Sequence, residues 1–277
     1  MKKSKPVYLI LNEFKKENYD SLLKNISPDN KIITISNLDA NKFISDILTA
    51  SNSKGHRFFF IDPWGYTQIN TKTYAEIFNA EQLDFLIFIP IYHIYRFLRK
   101  EDDSKQLIPI ANFLSDIGIS EEDAKASSKI VDFAEKIKLA IAKKANTQYA
   151  YYKMLKSAKN NSQYALFFST KHILGAEKFL EALDKIEEKD LFENTISDKD
   201  NAFIKMISSK KKLNNCDLHK YGLLSSLLPK RVNIILKELE KNENIIVFPK
   251  IKNRRKGNFY IGYKYCKKRP RLEIEFK

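Results

Sequence analysis

With 277 residues, 43% of them hydrophobic, and a mean hydropathy of −0.42, the chain has the length and apolar material for one large soluble domain and one small one. Its strongest apolar run, residues 85–95, contains Pro90 and His93 and is about half the ~20 residues that a membrane span needs. The basic start Met1–Pro6 leads into no apolar signal region, and Cys216 and Cys266 form neither a disulfide framework nor a metal-ligand spacing, so a cytoplasmic protein without membrane or metal is expected.

The formal net charge of +15 is unevenly placed: residues 201–277 hold 20 Lys and Arg against 6 Asp and Glu, whereas residues 1–200 hold 29 against 28. A folded segment this basic usually meets nucleic acid or another polyanion. A solubilising face or an acidic protein partner is the alternative.

In chain order, Val7–Glu13 reads as a strand, and residues 17–26 as a helix with Tyr19, Leu22, Leu23 and Ile26 on one side. Lys31–Ser36 reads as a second strand closed by Asn37-Leu38-Asp39, with a helix through Phe43, Ile44, Ile47 and Leu48. Phe58–Ile61 is a third strand, ending abruptly in Asp62-Pro63-Trp64-Gly65-Tyr66; after a short helix, Asp84–Ile91 is a fourth. Strands separated by short helices imply right-handed crossovers and a parallel sheet. Residues 92–157 read as helical, with Ser120 capping Glu121-Glu122-Asp123. Gln163–Ser169 returns to strand and Ala176–Ile186 to helix, before a polar linker over 187–200.

Beyond the linker the pattern changes. Asn201–Lys211, Cys216–Leu223 and Pro229–Lys241 read as helices, the last with Pro229 in its first turn and a stripe of Val232, Ile235, Leu236 and Leu239. Ile245–Lys250 and Phe259–Tyr265 read as a hairpin with Arg254, Arg255 and Lys256 at its tip, and Arg269–Phe276 as an added edge strand. Three helices and a hairpin are the order of a winged helix. Lys230, Arg231 and Lys237 lie away from the apolar stripe, as a recognition helix in a major groove requires, with the basic tip tracking the backbone. Winged helices also mediate protein contacts.

Leu11-Asn12-Glu13, Asp39-Ala40-Asn41, Phe60–Gly65, Ser169–Gly175 and the tail from Asp217 to Tyr260 together resemble the three-Cys-motif partner (TcmP) family of methyltransferase-like proteins. The resemblance implies an α/β fold: an incomplete class I methyltransferase (Rossmann-like) sheet over residues 1–190, with a helical insertion at about 92–157, then a basic winged-helix domain over 200–277. It implies a sheet entered at its second strand, because the first strand and its glycine-rich loop would precede Val7 and the first glycine is Gly55. Glycines matter in that loop because backbone must approach the cofactor without an intervening side chain.

On this resemblance Glu13 would accept the ribose hydroxyls of S-adenosylmethionine and Asp39 the adenine amine, although Asp39 serves equally well as a helix cap. Asp62, Pro63, Trp64 and Gly65 stand where amino-methyltransferases hold a target nitrogen, with Trp64 or Tyr66 left to stack on the base. The other reading of that turn is a rigid corner burying the only tryptophan. Lys171 and His172 follow a strand without an evident carboxylate to orient a base, so a structural histidine is expected there. The leading expectation is a nucleic-acid-binding protein of methyltransferase descent, with duplex DNA as its partner and catalytically incompetent alone. One alternative is an S-adenosylmethionine-dependent nucleic-acid amino-methyltransferase completed by a companion chain; another is a protein-interaction adaptor.

Overall fold

A computed structural model describes residues 7–26, 32–50, 55–63, 67–99, 104–157, 162–187, 197–267 and 269–277. β1 (Leu9–Asn12), α1 (Lys16–Asn25) and β2 (Ile33–Ser36) form a β–α–β unit whose strands pair in parallel from Leu9 opposite Ile33 to Asn12 opposite Ser36. α2 (Ala40–Thr49) leads to β3 (Arg57–Ile61), α3 (Thr71–Asn79) and β4 (Leu83–Ile89). α4 (Ile91–Phe97), α5 (Ser104–Ile117), α6 (Glu121–Lys125) and α7 (Ile130–Lys144) follow, then β5 (Tyr149–Lys156), β6 (Gln163–Thr170) and α8 (Ile173–Glu187).

The second sheet runs β3-β4-β6-β5. β3 and β4 are parallel, but β6 is antiparallel to both β4 and β5, so the expected parallel sheet is a mixed one. β4 is its centre. Phe85, Ile87 and Ile89 pack with Ile77, Phe113 and Ile137 of α3, α5 and α7, while Leu86 faces the cluster around α8. Burial on both faces is why this strand reads as a continuous apolar run.

β5 corrects the expectation of helix up to residue 157. Tyr149 and Tyr151 join Phe168 and Leu180 on one face, and Tyr152 and Met154 pack towards the main core on the other. Two-sided burial erased the alternation that marks a half-exposed strand. The expected long helix from Ser120 is divided. Ser120 does cap α6, accepting from the Asp123 amide at 3.0 Å, but α7 starts separately where Asp132 accepts from the Lys129 amide at 3.0 Å.

The first β–α–β unit is packed quite differently. Among the described residues from Val7 to Asp39 not one is buried; the first is Ile44 on α2. The apolar stripe of α1 is at best half-buried, with Leu23 exposed, and on β3 Phe58 and Phe60 are 57% and 58% exposed. The unit is tied on through α2. Asn41 donates to the Gln68 carbonyl and accepts from the Asn70 amide, both at 2.9 Å, and Arg57 Nη1 donates to the Ile47 carbonyl at 3.0 Å.

The remaining elements are α9 (Asp198–Ser208), β7 (Lys212–Asn214), α10 (Asn215–Leu224), α11 (Pro229–Lys241), β8 (Ile245–Pro249), α12 (Tyr263–Cys266) and β9 (Leu272–Phe276). They close on a core containing Phe203, Leu218, Val232, Leu236, Phe259 and Ile274. The sheet order is β7-β9-β8, all antiparallel. The partner of β8 is therefore β9 and not residues 259–265, and β9 is the central strand where an edge strand was expected. Gly222 lets α10 approach α11, since a Cβ there would lie 2.5 Å from Val232 Cγ2. This domain docks on α8 and β5: buried Leu223 joins the Tyr151–Phe168 cluster, and the Tyr151 hydroxyl donates to the Leu223 carbonyl at 3.1 Å.

Among the described residues no helix is long and apolar enough to cross a membrane. Amide hydrogen exchange tests the contrast between the two sheets. Residues 9–12 and 33–36 are expected to exchange well ahead of 85–89, because few buried contacts oppose their local opening. Equal protection of both sets would contradict the packing described.

Candidate nucleic-acid interface

Glu13, Asp39, Asp62 and Pro63 all follow the carboxyl ends of parallel strands, where open α/β sheets place ligands. Trp64 and Gly65 lie outside the described residues. Asp62 is exposed. Glu13 Oε1 accepts from the Lys15 amide at 2.8 Å. Asp39 is the N-cap of α2, with Oδ1 accepting from the amides of Asn41 at 3.0 Å and Lys42 at 3.2 Å. Asp39 thus spends one carboxylate oxygen on its helix, and among the described residues no close-packed glycine stands near Glu13. Gly55 has nothing within 4 Å of a Cβ position, and Gly175 packs on Thr170 and Asp84.

Strand register puts the Ser169–Gly175 segment at the other end of the sheet. Ser169 lies opposite Phe85 and Thr170 opposite Tyr149, near the start of β4, whereas Asp62 follows Ile61, which lies opposite Ile87. His172 is exposed and its Nδ1 accepts from the Leu174 amide at 3.1 Å; Lys171 Nζ pairs with Glu81 at 2.9 Å. A Cβ on Gly175 would stand 2.6 Å from Thr170 Oγ1 and 2.9 Å from Asp84 Oδ2. Close packing of α8 on the sheet accounts for this segment.

The six cations expected on the C-terminal domain fall into two groups. Arg231 is committed inward: Nε and Nη2 donate to Asp200 Oδ1 and Oδ2 at 3.1 and 2.6 Å, and Asp200 also accepts from the Ser197 amide at 2.8 Å. Arg254 is committed likewise. Its guanidinium grips Glu240 at 2.8 and 3.0 Å and lies over the Phe259 ring, its Nε donates to the Asn258 carbonyl at 2.9 Å, and the Gly257 amide reaches Glu240 at 2.9 Å. Gly257 (φ +77°) takes the left-handed turn this loop needs, against the stem of Lys237. The result is a shaped loop that leaves Arg255 and Lys256 exposed beside exposed Lys237, while Lys230 is exposed in the first turn of α11.

Both anchoring carboxylates are held acidic. Burial pushes the Asp200 carboxyl up, but the bonds from Arg231 and Ser197 outweigh it and the net shift is downward. At Glu240 the Arg254 bond dominates and also lowers the pKa.

Sequence reasoning missed a third pair, between the domains. His219 Nε2 lies 2.6 Å from Glu177 Oε2, with His219 only 1% exposed, and neither ring nitrogen makes a well-directed hydrogen bond among the described residues. Glu177 Oε2 also accepts from the Tyr263 amide at 3.0 Å. Burial raises the Glu177 pKa, the contacts from His219 and Tyr263 lower it, and the net direction is down. No spacing rule links positions so far apart. Cys216 and Cys266 come into thiol–thiol contact, and burial pushes both pKa values up, which suits inert thiols. Among the described residues no group of three or more His, Cys, Asp or Glu could hold a metal ion.

No protein-family model matches the chain, and no curated protein sequence matches it.

The pairs predict a specific acid response. The folded pKa values of Asp200 and Glu240 are depressed below their ordinary 3.8 and 4.5. Their stabilising contribution is therefore fully present above those ordinary values and disappears as pH falls through the depressed ones. Calorimetric unfolding is expected to show the C-terminal domain weakening in that window. Arg231→Ala, which leaves a buried carboxylate unpaired, is expected to cost about 3 kcal/mol at neutral pH and to flatten the acid response. Stability independent of pH across the carboxylate range would contradict the assignment.

Proposed function

We propose that the chain is a nucleic-acid-binding protein of methyltransferase descent, resembling the three-Cys-motif partner family and catalytically incompetent by itself. The observation that carries the binding role is the ordered basic surface on α11 and its neighbouring loop. Two arginines pinned to Glu240 and Asp200 shape the scaffold, and Lys237, Arg255 and Lys256 are left facing solvent. From Lys250 to Arg271 the sequence carries ten cations and no acid. The element order helix, strand, helix, helix, strand, short helix, strand, with the last strand central, supports a winged-helix reading. Such a module would lay α11 against duplex DNA and the loop along the backbone. Engagement of Glu13 Oε1 and Asp39 Oδ1 by the chain's own amides favours the inactivity.

Fluorescence anisotropy with a labelled duplex tests this. Binding is expected to weaken steeply with salt. The triple variant Lys237→Ala, Arg255→Ala, Lys256→Ala is expected to reduce the slope of log K against log salt by about one unit for each phosphate it no longer neutralises. Calorimetry with S-adenosylmethionine is expected to give no binding heat. Absence of duplex binding at low salt would overturn the proposal.

A second reading, a methyltransferase completed by a companion chain, is favoured by the division of the sheet. A doubly wound sheet of order 3-2-1-4-5-6, stripped of its first strand, would leave a parallel pair on one side and the remaining strands on the other. The pair β1-β2 and the separate sheet edged by β3 fit that division, and the exposed Leu9, Ile10, Phe58 and Phe60 are what a missing strand and its helix would cover. Under this reading, cofactor binding appears only after a second polypeptide is added.

A further inference from the structure

Where the C-terminal domain meets α8 there is a groove of about 720 Å³, a size common for ligand sites. One wall is α8, with Glu177 and Lys178; the other is the start of α11 and the segment Asn258–Lys267. Its character comes from three half-exposed tyrosines, Tyr260, Tyr263 and Tyr265, each with a cation at its ring. Lys267 Nζ lies 5.0 Å from the Tyr263 centroid and Lys264 Nζ 4.7 Å from that of Tyr265. The Arg271 guanidinium lies 5.4 Å from the Tyr260 ring and 5.2 Å from the Tyr265 ring. The acids of the groove are internally matched: Glu181 pairs with Lys178 at 2.5 Å, and Glu177 with His219 and the Tyr263 amide. Lys264 and Lys267 are exposed at its rim.

We propose that this groove binds an unpaired nucleotide of a nucleic-acid strand, its base stacked on Tyr263 or Tyr265 and its phosphates on Lys264 and Lys267. Aromatic rings offer a sequence-tolerant platform for bases, and neighbouring cations track the backbone. The occupant is part of a longer polyanion because the groove is continuous with the basic surface: Asn258 lines it and directly follows Arg255-Lys256-Gly257. The inference rests on the nucleic-acid-binding reading and adds a second, single-strand-specific site to it.

Three labelled probes separate the two claims by anisotropy: a blunt duplex, the same duplex with a short unpaired overhang, and an unstructured single strand of about ten nucleotides. The intact chain is expected to bind the overhang probe more tightly than the blunt one. Replacing Tyr263 and Tyr265 by Ala is expected to weaken single-strand binding by about tenfold or more, leaving blunt-duplex affinity unchanged. Phe at both positions is expected to restore the single-strand affinity. Unchanged blunt-duplex binding also reports that the domain still folds. Overhang-independent binding, or single-strand affinity indifferent to the Ala variants, overturns the groove while leaving the duplex surface standing. Failure to bind any of the probes overturns both.

Discussion

The four-stranded sheet and the helices packed on it take their positions from β4, five of whose seven residues are buried. The main core lies on one side, with Ile87 fully buried, and the α8 cluster on the other. Pairing β4 with antiparallel β6 turns the chain back, so that α8 starts beside the amino end of β4, where Gly175 permits close contact with Thr170 and Asp84. The face of α8 turned outward then receives the second domain through Leu223 and the Glu177–His219 pair. Enclosure of one strand thus fixes the place where the two domains meet. The aromatic groove lies at that junction.

The β1–β2 unit shows what happens where such enclosure is lacking. A parallel pair normally has both faces covered by crossover helices. Here the strands carry apolar residues but bury none, and only α2 reaches the common core. Burial supplies the driving force of folding in proportion to apolar area removed from water. The unit therefore depends on its hydrogen bonds to Gln68 and Asn70 and on the packing of Ile44.

Charge is organised by an equally simple rule in the C-terminal domain. Three of its acids are anchors. Asp200 fixes Arg231, Glu240 fixes Arg254, and Glu273 on the central strand receives Lys212 at 2.9 Å and Lys250 at 2.6 Å from its two neighbours. A carboxylate drawn into a bidentate arginine contact is ordered as well as neutralised. Lys237, Arg255 and Lys256, which these anchors leave out, are exposed. Arg231 and Arg254 share the charge of Lys237 and Arg255 but play the opposite part.

Local order was legible wherever a single rule decided it. Pro229 and the stripe Val232, Ile235, Leu236 placed α11 over the same residues, and Ser120 capped the helix it was expected to start. The polar ends of β1, β2 and β3 likewise marked the carboxyl edge of parallel strands. Composition alone separated a nearly neutral first part from a basic last quarter. Tertiary structure decided everything that required two distant segments to meet: β5 as a strand buried on both faces, β9 as the centre of its sheet, and which arginines face inward. It also decided that His172 and Asp62 stand at opposite ends of a sheet. Spacing along a chain reports which residues share a face, because helix and strand repeat at fixed periods. Which face meets which depends on burial and charge pairing across many residues, and no local period encodes that choice.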